Sequence, residues 1–262
     1  MSDHGIDGSS AGAVTAERYD IRFPQGKDHD QDQEWCEVRV DGETRRIRFH
    51  DYAEIFALPG LYEQIFYEEL ECDSPRTVTR LLCEHVEANG LECSDLTVFD
   101  VGAGNGMVGE ELQSVGASSI VGADIIESAA DATERDRPGV YDDYFVLDLT
   151  DIPPAELRRL QERRFNCLTT VAALGFGDMP PEAFAAAYNL VEPGGLIAFN
   201  IKEDFIADGD GTGFSGLVQR ALEDGTMELG VQRRYRHRLS VEGEPLHYVA
   251  AVGEKRRDLP LT

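Results

Sequence analysis

The residues with the clearest chemical potential lie in a glycine-rich stretch, FDVGAGNGMVGEEL, at positions 99–112. It follows an apolar run and precedes a helical pattern, which predicts a loop between a strand and a helix. Free backbone N–H groups at such a helix start can hold an anionic or zwitterionic ligand. One register, G-x-G-x-x-G from Gly104, is typical of dinucleotide binding. The other, D-x-G-x-G-x-G from Asp100, indicates a different cofactor.

Three acidic residues favour the second register. Asp100 precedes the loop, where a carboxylate would lie unfavourably close to a pyrophosphate. It suits a ligand with positive centres, such as the ammonium and sulfonium of S-adenosylmethionine (SAM). Asp124 ends the next predicted strand, where it can accept hydrogen bonds from ribose hydroxyls. Asp148 ends the third, where it can accept one from an adenine amino group.

The elements that must position these residues alternate between strand and helix from residue 95 onward. Short connections between them predict an open parallel sheet with right-handed crossovers. The last section predicts a helix ending at Gly225 and two long strands joined by a tight turn. The predicted fold class is α/β, a doubly wound, mostly parallel seven-stranded sheet in a three-layer α-β-α sandwich with a C-terminal antiparallel hairpin. The predicted strands before the hairpin are 96–102, 119–124, 143–149, 165–173 and 195–201, and the helices between them are 106–115, 127–134, 155–163 and 181–190.

The segment before the sheet has a different character. Its start is polar and rich in Asp, which predicts disorder. Alternation on both sides of Asp41-Gly42 predicts a hairpin over 34–49. An aromatic-rich stretch over 50–70, interrupted at Pro59-Gly60, predicts two short helices. The predicted divisions are a disordered acidic tail at 1–32, a hairpin and helical lid at 33–72, and a SAM-binding domain at 73–262.

The formal net charge is −26, and only three of the 24 basic residues are lysines. Such a charge repels nucleic-acid phosphates and anionic membranes, so we expect neither as a partner. Two interpretations remain open: a protein kept soluble by its charge, and a protein of a salt-rich cytoplasm. The basic stretch RRYRHR at 233–238 is more typical of a solvated or carboxylate-paired sheet face than of a phosphate site.

The five cysteines and the N-terminus bear on location. The number of cysteines is odd and no C-x-x-C motif occurs, so we expect reduced, buried thiols and no metal site. The first residues lack the basic and apolar regions of a secretory signal, and no apolar run approaches the ~20 residues of a membrane span. We therefore expect a cytoplasmic protein, either monomer or homodimer.

Over about residues 75–254 the chain resembles the class I SAM-dependent methyltransferases. VFDVGAGNG resembles their first motif, GADI the second, LDL the third, FNCLTTVAALGF the fourth and VEPGGLIAFNI the fifth. The terminal hairpin fits their antiparallel seventh strand. One departure is Asn166, where members often carry Asp, at a position that supports the start of the fourth strand. The Y-D-x-Y-x-x-L-D-L-T-D run is also similar to a methyltransferase-like subgroup from the Williams–Beuren region.

The resemblance implies SAM as cofactor and a set of residues that hold it. The glycine loop would hold the methionine part, Asp124 the ribose and Asp148 the adenine, with Thr170 near the sulfonium. The implied cofactor-binding residues are Asp100, Gly102, Ala103, Gly104, Asn105, Gly106, Asp124, Ile125, Asp148, Leu149 and Thr170.

The sequence defines the acceptor less well than the cofactor. The Asn/Asp-Pro-Pro-Tyr signature of enzymes that methylate amino groups of bases or glutamine is absent after the fourth strand, so a small molecule methylated on O or N is expected. His50 and His247 are expected to be packed or exposed. Two alternatives stay open: an NAD(P)-dependent oxidoreductase, and a non-catalytic regulator that binds SAM or a nucleoside. No catalytic residue is assigned, and the candidate acceptor residues are Tyr52, Tyr62, Tyr67, Asn200 and Lys202.

Overall fold

The computed structural model describes residues 18–26, 30–174, 178–203 and 213–260. The strands and helices alternate through the middle of the chain as the hydrophobic periodicity predicts. The strands are β1 (Asp20–Arg22), β2 (Trp35–Val40), β3 (Glu43–Arg48), β4 (Thr97–Val101), β5 (Ser119–Asp124), β6 (Asp143–Val146), β7 (Phe165–Thr170), β8 (Val191–Lys202), β9 (Met227–Leu239) and β10 (Pro245–Lys255). The helices are α1 (Tyr52–Ala57), α2 (Leu61–Glu63), which continues as a π-helical segment (Gln64–Glu69), α3 (Ser74–Ala88), α4 (Met107–Ser114), α5 (Glu127–Asp136), α6 (Pro154–Glu162), α7 (Pro181–Asn189) and α8 (Gly213–Glu223).

The main sheet has seven strands in the order β6-β5-β4-β7-β8-β10-β9. The first five are mutually parallel, and β10 runs antiparallel between β8 and β9. This confirms the predicted doubly wound sheet with its C-terminal hairpin. Strand order reverses between β4 and β7, and ligands of such sheets bind beyond the carboxyl ends of the strands at this point.

Helices cover both faces of the sheet. On one face α3 and α4 pack through apolar residues such as Leu82 and Leu112, both with no exposed surface. On the other, α6, α7 and α8 bury a second core that includes Tyr188 and Phe214. Asn166 joins the starts of two central strands: its Oδ1 accepts from Thr97 N and its Nδ2 donates to Asp95 O, both at 2.8 Å. The Asn at this position therefore supports the strand starts.

The N-terminal segment forms a separate three-stranded antiparallel sheet, β1-β2-β3. The β2–β3 turn has Asp41 and Gly42 at φ of 53° and 84°, the positive values that an Asp-Gly hairpin turn requires. β1 lies within the stretch expected to be disordered and pairs with β2 instead. Two parts of that stretch, residues 1–17 and 27–29, lie outside the described residues.

This segment has its own core and is tied to the last hairpin of the chain. Ile47, Ile55 and Ile65 are fully buried in it, together with Val241 from the β9–β10 turn. Glu34 forms a buried ion pair with Arg238, 204 residues away in sequence. The N-terminal segment therefore packs on the C-terminal strands as well as over the sheet edge.

The cysteines differ from expectation. Cys83 on α3 forms a disulfide with Cys93, just before β4, so these two are not the reduced thiols that the sequence suggested. Cys36 is buried and free, and burial raises its pKa to about 12. Within the described ranges, no cluster of three His, Cys, Asp or Glu residues could hold a metal ion. No helix in the described part of the chain has the length and apolar character to cross a bilayer.

Candidate cofactor and acceptor site

A cavity of about 230 Å³ lies at the carboxyl ends of the central strands, where the topology predicts a ligand. Its walls come from the glycine loop, the ends of β5, β6 and β7, and the aromatic N-terminal segment. The lining residues are Tyr52, Phe56, Tyr62, Val101, Gly102, Gly104, Ala123, Asp124, Ile125, Ile126, Leu147, Asp148, Leu149, Thr150, Val171, Ala172, Ala173, Asp178, Met179, Pro180 and Ala183.

Two glycines of the loop form a cradle that a side chain would fill. Gly102 and Gly104 have φ of 71° and 54°, in the left-handed region that favours glycine. A Cβ on Gly102 would lie 2.6 Å from Cβ of Ala173, and one on Gly104 would lie 3.1 Å from Cζ of Phe56. Both positions therefore require glycine on conformational and steric grounds, as the D-x-G-x-G-x-G register predicts.

The N–H groups of this loop bond within the protein. Gly102 and Ala103 both donate to the carbonyl of Ala123, at 2.9 and 3.1 Å, and Gly106 donates to the carbonyl of Ala103. Gly104 donates to Oδ2 of Asp124 at 2.9 Å. Of the N–H groups expected to be free at the helix start, that of Gly106 is therefore bonded within the protein, and none of these four N–H groups is available to a pyrophosphate.

Gly109 does not act as a third dinucleotide-binding glycine. It lies inside α4, where a Cβ would approach the Tyr141 ring to within 2.7 Å. The sequence predicts Gly109 inside this helix, and the structure shows what its missing side chain admits. The Tyr141 hydroxyl passes it to reach Asp100 at 2.6 Å.

Asp124 is the acid best placed to meet a ligand. It ends β5, lines the cavity, and accepts from the backbone N–H groups of Gly104 and Ile126 at 2.9 and 3.0 Å. Burial raises the pKa of its carboxyl, and the backbone donors partly oppose that rise. Because each carboxylate oxygen can accept more than one hydrogen bond, these donors orient Asp124 and leave it capacity for ribose hydroxyls.

Asp100 lies beneath the loop and is only 1% exposed. Its Oδ1 accepts from Thr169 Oγ1 at 2.7 Å and its Oδ2 from the Tyr141 hydroxyl. It does not line the cavity, so direct contact with the methionine part is not what this geometry provides. Burial raises the pKa of Asp100 to about 6, although both hydroxyl donors favour the ionised form.

The predicted adenine side of the cavity contains Asp148, Leu149 and Ile125. Ile125 is 63% exposed, which is unusual for a large apolar side chain and leaves its surface available for a flat ring. The exposed Asp148 accepts from the backbone N and the Oγ1 of Thr150, at 2.8 and 2.7 Å. Those hydrogen bonds hold the pKa of Asp148 below its usual range, so it is an acceptor at neutral pH.

Thr170 does not reach the cavity. Its side chain is fully buried, and its Oγ1 has no hydrogen-bond partner among the described residues. The next residues, Val171 and Ala172, form the wall instead. Ala172 has φ of 57°, and its N–H donates to Oδ1 of Asn200 at 2.7 Å.

The five candidate acceptor residues separate into two groups. Tyr52 and Tyr62 line the cavity, whereas Tyr67, Asn200 and Lys202 do not. Tyr67 borders a groove outside it. Asn200 is fully buried and bonds to Ala172, Tyr235 and Ser74, so it supports the wall from behind.

A polar network ties the aromatic segment to the glycine loop. Nδ2 of Asn105 donates to Oε1 of Glu63 at 2.7 Å, so Asn105 links to α2 and does not line the cavity. Arg137 also donates to Glu63 at 2.7 Å, and to the carbonyl of Asn105 at 3.1 Å. The segment is therefore fixed to the loop by charge-assisted hydrogen bonds.

Sequence reasoning missed Phe56, Met179 and Asp178 as lining residues. A pattern signal existed only for Phe56, as an aromatic residue near Tyr52. The basic stretch is carboxylate-paired: Arg233 with Glu84, Arg234 with Glu203, Arg236 with Glu71 and Arg238 with Glu34.

The chain is similar to methyltransferases in sequence pattern and in fold. A family model described as a methyltransferase domain matches residues 99–199. No curated protein sequence matches the chain. The N-methyltransferase NodS from Bradyrhizobium japonicum WM9, solved with S-adenosyl-L-homocysteine, is similar with a TM-score of 0.53 and 13% identity, over 79% of this chain and 97% of its own.

Two further solved structures align less closely. The magnesium protoporphyrin IX methyltransferase from Synechocystis PCC 6803 with bound SAM has a TM-score of 0.47 and 15% identity, over 69% of this chain and 79% of its own. A putative RNA methyltransferase from Pyrococcus horikoshii has a TM-score of 0.46 and 14% identity, over 69% and 83%. At such identities the likeness concerns the fold.

Proposed function

We propose that this chain is a class I SAM-dependent methyltransferase that transfers a methyl group from SAM to an oxygen or nitrogen atom of a small-molecule acceptor; a methyltransferase-domain family model matches residues 99–199. When bound, SAM supplies a methyl group on a positively charged sulfur. The residues of the chain bind the cofactor, orient the acceptor and exclude water, and orientation alone can supply ~7–11 kcal/mol of the barrier.

For cofactor binding we propose that each group of residues lining the cavity holds a different part of SAM. Asp124 accepts the ribose hydroxyls, Ile125 and Leu149 pack on the adenine, and Asp148 accepts from its amino group. The cradle at Gly102 and Gly104 admits the methionine part. Asp100 supports this arrangement indirectly: its hydrogen bond to Tyr141 is made across Gly109, and it holds β4 to Thr169 of β7.

The observation that carries the small-molecule proposal is the aromatic cover of the cavity. Phe56 contacts the glycine loop, and its ring stacks between those of Tyr52 and Tyr62 with centroids 6.1 and 5.0 Å apart. An enzyme that modifies a base or a side chain of a polymer needs a surface beside its pocket that receives the polymer, whereas aromatic residues of this chain line that side of the cavity. The net charge of −26 also opposes nucleic acid, and the arginines of the basic stretch are paired with carboxylates.

Calorimetry tests the cofactor and label transfer tests the acceptor. We expect SAM and S-adenosylhomocysteine to bind with micromolar affinity and NAD not to bind. With methyl-tritiated SAM and a cell extract divided into metabolite, nucleic-acid and protein fractions, the label should enter the metabolite fraction. Label confined to RNA or protein would overturn the proposed acceptor class while leaving the enzyme class intact.

A further inference from the structure

A second cavity of about 50 Å³ adjoins the cofactor cavity. The two share Tyr52, Tyr62, Ala172 and Asp178 as lining residues. A group placed in the small cavity therefore lies directly beside the cofactor site. Its volume suits the reacting end of an acceptor and not a whole molecule.

His50 lines this small cavity together with Asp178. Nδ1 of His50 lies 2.9 and 3.0 Å from the two carboxylate oxygens of Asp178. Because a carboxylate accepts hydrogen bonds, Nδ1 carries the proton and the lone pair of the neutral ring is on Nε2. The two side chains are 19% and 28% exposed, so the pair is largely shielded from solvent.

The ring of His50 is also held by its neighbour. Tyr52 packs edge-on against it, with ring centroids 5.8 Å apart and planes at 76°. Tyr52 lines both cavities, so the ring that orients His50 also forms the wall of the cofactor site. The carboxylate of Asp178 and the ring of Tyr52 therefore both help to fix the direction of the imidazole.

The other histidine of the small cavity, His237, is not suited to take a proton. Its Nδ1 lies 2.6 Å from Ser74 Oγ, and its ring lies against Tyr248 with centroids 4.1 Å apart. Burial lowers the pKa of His237 well below its usual range, so the ring stays neutral. His50 is the histidine of this cavity with a carboxylate at hydrogen-bond distance, the arrangement of an oriented general base.

We propose that His50 is the general base for a hydroxyl acceptor and that Asp178 is its positioning residue. This inference rests on the proposed function. Nε2 of His50 takes the hydroxyl proton while the acceptor oxygen forms its bond to the methyl carbon. The carbon–sulfur bond breaks, and its electron pair stays on the sulfur, which becomes neutral. The products are a methyl ether, S-adenosylhomocysteine and protonated His50, which then releases the proton to solvent.

A hydroxyl is the acceptor class that benefits most from such a base. A thiol has a pKa of about 8.5 and is partly ionised at neutral pH, and a carboxylic acid with a pKa of about 4 is fully ionised. A neutral amine attacks through its lone pair and loses its proton afterwards. General-base assistance typically contributes about 10²–10⁴-fold.

The pair also links two parts of the fold. His50 lies two residues before α1 of the aromatic segment, and Asp178 lies three residues before α7, 128 residues later in the chain. The base is therefore oriented only when the N-terminal segment lies on the sheet. The packing of the N-terminal segment on the sheet therefore both orients His50 and places the aromatic residues over the cofactor cavity.

The first test reads the tautomer of His50 without turnover. In ¹⁵N-histidine-labelled full-length protein with S-adenosylhomocysteine, two-bond ¹H–¹⁵N correlations should show His50 protonated at Nδ1. Asp178→Ala should shift it towards the Nε2–H form, while His85 and His247 serve as unchanged internal controls. A proton on Nε2 in the wild type, or no response to Asp178→Ala, would overturn the orientation.

The second test measures methyl transfer to a phenol, a thiophenol and an aniline that carry the same ring substituents. We expect His50→Gln to slow transfer to the phenol at least about 100-fold, and transfer to the thiophenol less than about 3-fold. The matched control, His85→Gln on α3, should behave as wild type. Calorimetry should show unchanged affinity of His50→Gln for S-adenosylhomocysteine, which establishes that the variant is folded.

The outcomes distinguish failure of the general-base assignment from failure of the proposed function. Equal loss with phenol and thiophenol, or no loss with either, overturns the base assignment. Label in the aniline or the thiophenol but not in the phenol overturns the hydroxyl acceptor and leaves small-molecule methylation standing. Absence of label from all three overturns the hydroxyl assignment, and label confined to macromolecules in the extract would remove the proposed function as well.

Discussion

The hydroxyl of Tyr141 donates to Oδ2 of Asp100 across a helix position that only glycine leaves open. The pair joins the loop that precedes β6 to β4 under the glycine loop. Thr169 donates to the other oxygen of the same carboxylate. Asp100 is thus a buried anchor whose charge is tolerated because two hydroxyls point at it.

The raised pKa of Asp100 predicts that the protein loses stability as pH rises. The ordinary pKa of 3.8 rises to about 6 on folding, so the stability contributed by protonated Asp100 is complete below about pH 4 and is lost as pH rises through 6. Asp100→Asn removes this loss. Relative to wild type, its free energy of unfolding should rise by on the order of 3 kcal/mol between about pH 4 and pH 7.5. Urea unfolding at the two pH values measures this difference. For the exposed control Asp151→Asn, the difference from wild type should not change with pH.

Asp124→Ala should weaken binding of S-adenosylhomocysteine by about 10- to 100-fold. The change removes the acceptor proposed for the ribose and leaves the N–H groups of Gly104 and Ile126 without their partner. Calorimetry at constant ionic strength measures the loss. Asp151→Ala, an exposed aspartate outside the cavity lining, is the matched control. Unchanged affinity in Asp124→Ala would remove the ribose assignment.

Gly104→Ala should weaken cofactor binding more than its effect on stability explains. Its Cβ would press on Phe56 and narrow the cradle. Gly139 is the control, since its φ of 75° carries the same type of backbone strain with no neighbour within 4 Å of an added Cβ. Both variants should lose about 1 kcal/mol of stability. Only Gly104→Ala should lose affinity for S-adenosylhomocysteine, and equal affinities would argue against the cradle.

Added salt should stabilise the protein. The net charge of −26 makes the compact state repel itself, and raising KCl from about 0.1 M to 1 M shortens the screening length from about 10 Å to 3 Å. We expect Tm to rise by at least about 5 °C, measured by circular dichroism. Sucrose at matched osmolality controls for exclusion of solutes from the surface. A rise no larger than that in sucrose would show that charge screening is not the cause.

The sheet was predictable because its signals are local. β4, β5 and β6 are largely apolar runs with a glycine or an acid at or just after their ends, and Asp41-Gly42 specifies its own turn. β1 escaped prediction because three residues at a sheet edge show no periodicity. Ser74 is the first residue of α3, and its hydroxyl pairs with Tyr235 and His237, both of which come from β9.

The site was predictable in part, for a related reason. Asp124 and Asp148 follow from their place at strand ends, whereas Ile125 and Leu149 follow from the family resemblance, and all four line the cavity. The burial of Asp100 depends on Tyr141, 41 residues away. The pairing of His50 with Asp178 spans 128 residues and leaves no trace in either local pattern. Contacts of this kind are set by the packing of whole elements.

The ion pair between Glu34 and Arg238 bears on when the N-terminal segment can pack during synthesis. Every residue that lines the cofactor cavity has been synthesised by Ala183, whereas Arg238, His237 and Tyr248 of the small cavity come from the last hairpin. The aromatic segment is synthesised first and gains its final partner last. On the ribosome, the aromatic segment can therefore take up its final packing and enclose the acceptor cavity only when the chain is nearly finished.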